Sequence, residues 1–236
     1  VPTAARAANR DPWTLVQDRE EFLSLASGKV PSRVLGIPRV ASTLQQGRPK
    51  GDNEVMPFSQ PFNENVPSLE EMTRAALHVL SRNPGGFFIM IEGGAIDWAS
   101  HDNHTGRTIE EQIDFNRSVA AAIAWVEANS NWNETLIIVT SDHETGYLTG
   151  PEHPEKPYAA VSGNGKGQLP NAKWNFGNHT NTLVPFYAKG RGAELFAPMA
   201  DEKDPVRGPY LQNTDPAQAI FMMWGRPEVI MHRLSY

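Results

Sequence analysis

The chain contains no cysteine. That absence removes disulfide frameworks, thiolate zinc sites, iron–sulfur clusters and a cysteine nucleophile, so any metal must be held by histidine and carboxylate. It does not fix a compartment, because a secreted protein can simply lack cysteine. Long hydrophobic runs are missing as well: no stretch approaches the roughly 20 apolar residues that span a bilayer. There is no long basic run either, and the formal net charge of -6 argues against nucleic acid as the main partner. What remains suffices for a core. At 236 residues, 39% apolar and 20% charged, the chain fits one large soluble domain or two small ones. It opens on Val1 with no charged-then-apolar leader, as expected of a processed or excised piece.

Glycine and proline number 19 each. They concentrate at about residues 28–67 and 150–178, in clusters such as Gly47 to Gly51 and Ser162 to Gly167, which read as loop-rich excursions from a compact core. Three short apolar runs, Phe87 to Ile91, Leu136 to Val139 and Leu183 to Tyr187, have the composition of strands buried on both faces. Leu15-Val16 and Val34 to Ile37 are shorter candidates. Helix starts are marked by Ser68 with Glu71 and by Thr108 with Glu111, each spaced for a capping box. The first helix should reach about Arg82, with Leu69, Met72, Ala76, Leu77 and Leu80 facing inward. The second should reach about Ala128, with Ile109, Ile113, Ala120 and Ile123 inward. A last helix should begin with Thr214 as cap and Pro216 in its first turn. Strands alternating with amphipathic helices imply an α/β fold, a layered and largely parallel sheet flanked by helices. Chemistry in such sheets gathers at the carboxyl ends of strands.

Both of the strongest strand exits carry a carboxylate and a histidine. Phe87 to Ile91 runs into Glu92, Gly93, Gly94, Asp97 and His101; Leu136 to Val139 runs into Asp142, His143 and Thr145. If a helical turn follows the paired glycines, Asp97 and His101 at i and i+4 share one face, with Cβ atoms about 5–6 Å apart. One cation that accepts imidazole and carboxylate could bridge them. Either pair alone is an ordinary hydrogen-bonded loop feature; two together are a pattern. Glu92, ending a buried strand, needs a cationic partner, which can be a metal, an arginine or a lysine. His179 precedes the third apolar run. His78, His153 and His232 read as packed or solvated residues, and His104 as a neighbour of the site at most. The His-Glu-x-x-His, Walker-type and Gly-x-Ser-x-Gly patterns are absent. Four short sequons, beginning at Asn103, Asn116, Asn133 and Asn178, match at a frequency that chance supplies.

These residues resemble a known family. Phe87 to His101, Thr135 to Gly146 and Gly177 to Gly190 are similar, in order and character, to the metal-binding blocks of bacterial alkaline phosphatases. Ser68 to Gly86 is similar to the helix before the first block, and the likeness covers about residues 12–225. It implies Asp97, His101 and His179 as ligands of one zinc, Asp142 and His143 as ligands of a second zinc, and Glu92 as a ligand of a neighbouring magnesium. It also implies a phosphate monoester as substrate, a serine nucleophile, a phosphoserine intermediate and its hydrolysis by zinc-bound hydroxide. A periplasmic or secreted location and a homodimer belong to the same expectation. Thr145 stands where some family members carry another histidine. The serine block, a shared aspartate, further magnesium ligands and the phosphate-binding arginine have no counterpart here. Residues 1–236 therefore read as the carboxyl-terminal portion of the catalytic domain, with no catalytic residue in this segment and no activity of its own. A related phosphomutase or sulfatase, or a noncatalytic metal-binding module, are the alternative readings.

Overall fold

The computed structural model describes residues 12–49 and 56–226; Val1, the Lys50-Gly51 end of the first turn cluster and His232 lie outside them. In chain order the elements are β1 (Thr14–Val16), α1 (Arg19–Ser24), β2 (Val34–Gly36), α2 (Leu69–Leu80), α3 (Ala95–His101), α4 (Thr105–Asn129) and β3 (Leu136–Val139). The short strands β4 (Glu144–Thr145), β5 (Leu148–Thr149), β6 (Lys173–Trp174), β7 (His179–Thr180) and β8 (Tyr187–Gly190) follow. Helix α5 (Phe196–Met199), the hairpin β9 (Glu202–Asp204) and β10 (Gly208–Tyr210), and α6 (Asp215–Met223) complete the described chain. Two compact units result, Val1–Trp125 with Thr145–His179 and Val126–Glu144 with Thr180–Tyr236. No helix among the described residues is long and apolar enough to cross a membrane.

The first unit grows from β1 and β2, which pair in parallel with Leu15 opposite Leu35. Because strand side chains alternate, Val16 points in and joins Phe22, Leu25 and Ala75 in a core flanked by Val30, Val34, Met72 and Val79. Helix α2 begins as its sequence dictates: the Ser68 hydroxyl accepts the Glu71 amide, and the Glu71 carboxylate accepts the Ser68 amide. The other Glu71 oxygen binds Arg19 of α1 at 2.6 Å, and this hydrogen bond holds the Glu71 carboxyl below its ordinary range. One residue thus caps α2 and ties α1 to it.

Helix α4 departs from expectation. It starts at Thr105, before the Thr108 box, because His104 takes the cap: its Nδ1 accepts the Arg107 amide at 3.2 Å. Thr108 lies inside the helix and donates its hydroxyl to the His104 carbonyl. The buried face is polar rather than the stripe of Ile109, Ile113, Ala120 and Ile123; Ala120 is exposed, while Arg107, Glu110, Glu111, Ser118 and Ala121 are buried. Ser118 meets Thr73 of α2 hydroxyl to hydroxyl at 2.6 Å. Arg48, from the first loop-rich excursion, pairs with Glu110 in the interior, with its guanidinium 4.1 Å from the Phe62 ring centroid. Charges from the excursion satisfy charges on the helix, so a hydrophobic periodicity misses this face.

In the second unit β3 runs antiparallel to β8, Leu136 opposite Gly190 and Val139 opposite Tyr187. Leu136 to Val139 is a strand as the sequence predicts, but half-buried rather than fully buried. The third apolar run is displaced: the strand covers Tyr187–Gly190, since Pro185 offers no amide for a ladder over Leu183 to Tyr187. The run Phe87 to Ile91 is not a strand, and Phe88 and Met90 are 69% and 79% exposed. An apolar segment becomes a strand only when a neighbour accepts and donates its backbone bonds, and no described segment pairs with this one. Four more two-stranded pairs join β1–β2, β4–β7, β5–β6 and β9–β10; β1–β2 is parallel, whereas β3–β8, β5–β6 and β9–β10 are antiparallel. Helices and strands alternate as α/β, while the described residues do not assemble a layered, largely parallel sheet. Thr214 precedes α6 without a side-chain cap, and Pro216 sits in the first turn as predicted.

Glu111 is the exposed cost of the polar face of α4. Burial, with the nearby carboxylates of Asp114 and Glu110, pushes its carboxyl up to about 7. The unfolded chain releases this proton near the ordinary carboxylate value and the folded chain only near about 7. Stability therefore falls as pH rises through that window, by at most about 3 kcal/mol. Glu111→Gln should raise urea stability by about 1–3 kcal/mol at pH 8 and by close to nothing at pH 4; a difference independent of pH would show that the burial cost lies elsewhere.

Candidate metal centre

Three side chains converge in the first unit. Gly93 precedes α3 at a place where a Cβ would fall 2.8 Å from the Phe115 ring, so glycine lets the chain pass close to α4. Within α3, Asp97 and His101 lie one turn apart on one face, as the i, i+4 spacing predicts, and His101 Nε2 is 3.4 Å from Asp97 Oδ2. His179 arrives from β7: its Nε2 is 3.2 Å from Asp97 Oδ1 and 3.0 Å from His101 Nε2.

The second loop-rich excursion delivers His179. Its base is the hairpin β5–β6, where Leu148 faces Trp174. Asn175 locks that base by donating its amide to the carbonyls of Tyr147 and Lys173 and to the Thr149 hydroxyl. The chain then returns past Gly146, whose carbonyl accepts the amides of Asn175 and Phe176 and whose amide donates to Asn178. Two residues later Gly177 presents its carbonyl to His101 Nδ1 at 3.0 Å. A carbonyl only accepts, so Nδ1 carries the proton and, in the neutral ring, Nε2 keeps its lone pair facing Asp97 and His179. Thr145 donates its hydroxyl to Asp97 Oδ1 at 2.5 Å.

This set suits a cation that takes nitrogen and oxygen. The ligand atoms of Asp97, His101 and His179 lie within 4.8 Å of one another, and a tetrahedral ion with bonds near 2.0–2.2 Å needs its ligands about 3.3–3.5 Å apart. Each imidazole meets one Asp97 oxygen near that spacing, His179 at Oδ1 and His101 at Oδ2, and the imidazole pair needs only a small opening. Without a cation the close His101–His179 contact requires one ring to donate; since His101 Nε2 holds a lone pair, His179 Nε2 is the donor. Metal entry therefore displaces that proton or moves it to the other ring nitrogen. The side chains are 29% to 45% exposed, so one face of the group is open.

The other residues singled out by the sequence are placed as follows in their own units. Glu92 is exposed. In the second unit Asp142 and His143 contact each other, Asp142 Oδ1 accepting the His143 amide and Oδ2 lying 3.5 Å from His143 Nε2, with the Asp142 side chain 87% exposed. His104 caps α4, and His153 lies in the second excursion with its ring against Tyr147. Sequence reasoning missed what Thr145, Gly177 and Asn175 do, because each acts through a partner tens of residues away.

Known proteins place this geometry in context. A family model described as alkaline phosphatase matches residues 4–168. Alkaline phosphatase 3 of Bacillus subtilis is 40% identical over 134 residues, 57% of this chain and 25% of that protein. Alkaline phosphatase H of Pseudomonas aeruginosa is 30% identical over 186 residues, 76% of this chain and 37% of that protein. The alkaline phosphatase of the Antarctic bacterium TAB5 superposes with a TM-score of 0.53 at 26% identity, covering 81% of this chain and 48% of that one. A variant of the same enzyme, described with magnesium bound, superposes with a TM-score of 0.51 at 25% identity, covering 81% and 49%. The chain thus spans about half or less of the length of these relatives.

The return past Gly146 is the fragile point. Its φ is +88°, and a Cβ would fall 2.5 Å from the Trp174 ring and 3.0 Å from the Ser100 carbonyl. Gly146→Ala should lower stability by about 2 kcal/mol or more through strained backbone and overpacking, read as a drop in urea midpoint; an unchanged midpoint would mean that the knot around residue 146 does not hold the fold.

Proposed function

The chain belongs to the alkaline phosphatase family, and from that premise we propose that it is the metal-binding portion of an enzyme that hydrolyses phosphate monoesters. The observation that carries this reading is the convergence of Asp97, His101 and His179 on one half-open point. In the proposal these three hold a zinc ion, Asp142 and His143 serve a second zinc, and Glu92 serves a magnesium. The magnesium-bound variant of the Antarctic enzyme supports the presence of a magnesium ion in such a centre. Bound zinc supplies Lewis acidity toward a phosphoryl oxygen and acidifies water to near-neutral pKa.

This chain's residues bind and orient. The Gly177 carbonyl fixes the tautomer of His101 and aims Nε2; the hairpin and Asn175 bring His179 to the same point. No candidate nucleophile stands among them, so the serine that forms a phosphoserine intermediate is assigned to the remainder of the enzyme. The proposal extends to the fold, a layered and largely parallel sheet. The run Phe87 to Ile91, without a strand partner among the described residues, would pair there, and the exposed Leu15, Leu35 and Ile37 would offer apolar surface to pack on. A periplasmic or secreted location and a homodimer complete it.

Equilibrium dialysis against zinc tests the central claim. The 236-residue chain should take up zinc, and the Asp97→Ala, His101→Ala variant should bind at least about 100-fold more weakly; equal uptake by the two sinks the assignment. The zinc-loaded chain should turn over p-nitrophenyl phosphate negligibly. A rate near that of a complete family enzyme would overturn the assignment of the nucleophile to other residues.

A further inference from the structure

We propose that Asn164 is a site of spontaneous covalent modification: its side chain condenses with the Gly165 amide to a succinimide, which water opens to aspartate or isoaspartate. The reaction is independent of any metal. Asn164-Gly165 is the sole asparagine–glycine pair in the sequence. It lies at the tip of the second loop-rich excursion, beyond the point where Ser162 and Asn171 exchange backbone hydrogen bonds. Every residue from Val161 to Gln168 is exposed, and a Cβ added to Gly163, Gly165 or Gly167 would meet nothing within 4 Å. The tip therefore has room to rearrange toward the cyclic geometry. Gly165 has a φ of +105°, a conformation glycine adopts without a steric penalty, and it carries no side chain to shield its amide nitrogen. Among the described residues nothing accepts a hydrogen bond from that amide.

The bond changes balance with water as the only co-reactant. The Gly165 nitrogen gives its proton to base and attacks Asn164 Cγ; the N–Cγ bond forms, the Cγ–Nδ2 bond breaks, and the side-chain nitrogen takes up a proton and leaves as ammonia. One water then opens the ring. Addition at the side-chain carbonyl restores the original backbone and leaves aspartate, whereas addition at the Asn164 backbone carbonyl routes the chain through the side chain as isoaspartate. Either product carries a negative charge that asparagine lacks. Either also loses the donor that Asn164 Nδ2 gives the Leu169 carbonyl at 3.2 Å. Other asparagines lack a requirement of this reaction. Asn83 precedes Pro84, which has no amide proton. Asn116 lies inside α4, where the helix engages the following amide. After Asn175 the Phe176 amide is held by the Gly146 carbonyl, and the Asn175 side chain itself is held by three acceptors.

The test incubates the full chain in mildly alkaline buffer, native and in urea, and follows it by peptide mapping with mass spectrometry. In the native chain the peptide containing Asn164 should gain one dalton and split into two chromatographic species. One of them should accept a methyl group from S-adenosylmethionine in the presence of an isoaspartyl methyltransferase. The native rate should be of the same order as the rate in urea, and the other asparagines of the native chain should stay intact over the same time. Asn164→Gln should remove the shift, because the longer side chain would have to close a larger ring. An intact Asn164 in the native chain alongside modification in urea would show that the fold protects the tip, and overturns the proposal. Equal ammonia loss at other native asparagines overturns the assignment to Asn164.

Discussion

The Asp97 carboxylate has more claimants than a surface aspartate ever meets: two imidazoles and a hydroxyl lie within 3.4 Å of its oxygens. Asp97 and His101 come from one short helix, and Thr145 and His179 from the two ends of an excursion of some thirty residues, so the chain must bring α3 and both ends of that excursion into register. Everything nearby serves that register. Glycine at 93 admits the Phe115 ring, glycine at 146 admits Trp174 and turns the backbone through the left-handed region, and Asn175 closes the loop by satisfying three acceptors at once. Replacing either glycine forces a Cβ against a ring, and removing the Asn175 amide leaves partly buried acceptors without their donor.

Precision at the site is bought with polar interior elsewhere in the same unit. Helix α4, which follows α3 after three residues, is anchored by an imidazole cap and by guanidinium and carboxylate groups, not by an apolar stripe. Ion pairs of this kind stabilise little against a hydrophobic alternative, but they are directional, and breaking one leaves an uncompensated charge inside. Arg107 reaches the Pro49 carbonyl while Arg48 reaches Glu110. The first excursion is thereby fastened to α4 at defined points, although it contains little regular structure.

How much of this was legible in the sequence depends on distance along the chain. Local rules read correctly: the Ser68 and Glu71 box, the strand at Leu136 to Val139, the parallel candidates at residues 15 and 34, and the one-face placement of Asp97 with His101 all depend on neighbours a few residues away. Long-range partners defeated the same rules. The Thr108 box has the right spacing, yet a buried histidine four residues earlier took its place. The apolar run at Phe87 has the composition of a central strand, but composition cannot supply the neighbour whose backbone makes it one. Family resemblance gathered Asp97, His101 and His179 into one group before geometry did. Neither resemblance nor spacing gave Thr145 a role, since a hydroxyl matters here only for the carboxylate 48 positions before it.

A half-open candidate ligand group and an apolar run without a strand partner lie in the same unit but have different physical grounds. A cation bound by three side chains keeps at least one coordination position for water or substrate, so the open face at Asp97, His101 and His179 is a chemical requirement and should persist in any assembly. Exposure of Phe88 and Met90 has no such justification: two large apolar side chains in water lose burial free energy of about 1.5–3 kcal/mol each. The segment between them and Asp97 is only six residues long from Met90. Whatever pairs with that run also fixes the approach to α3, so in the proposed enzyme the ordering of a sheet there and the ordering of Asp97 and His101 would be coupled through Glu92, Gly93 and Gly94. Zinc affinity and sheet completion should therefore rise together, each lowering the entropy that the other must overcome.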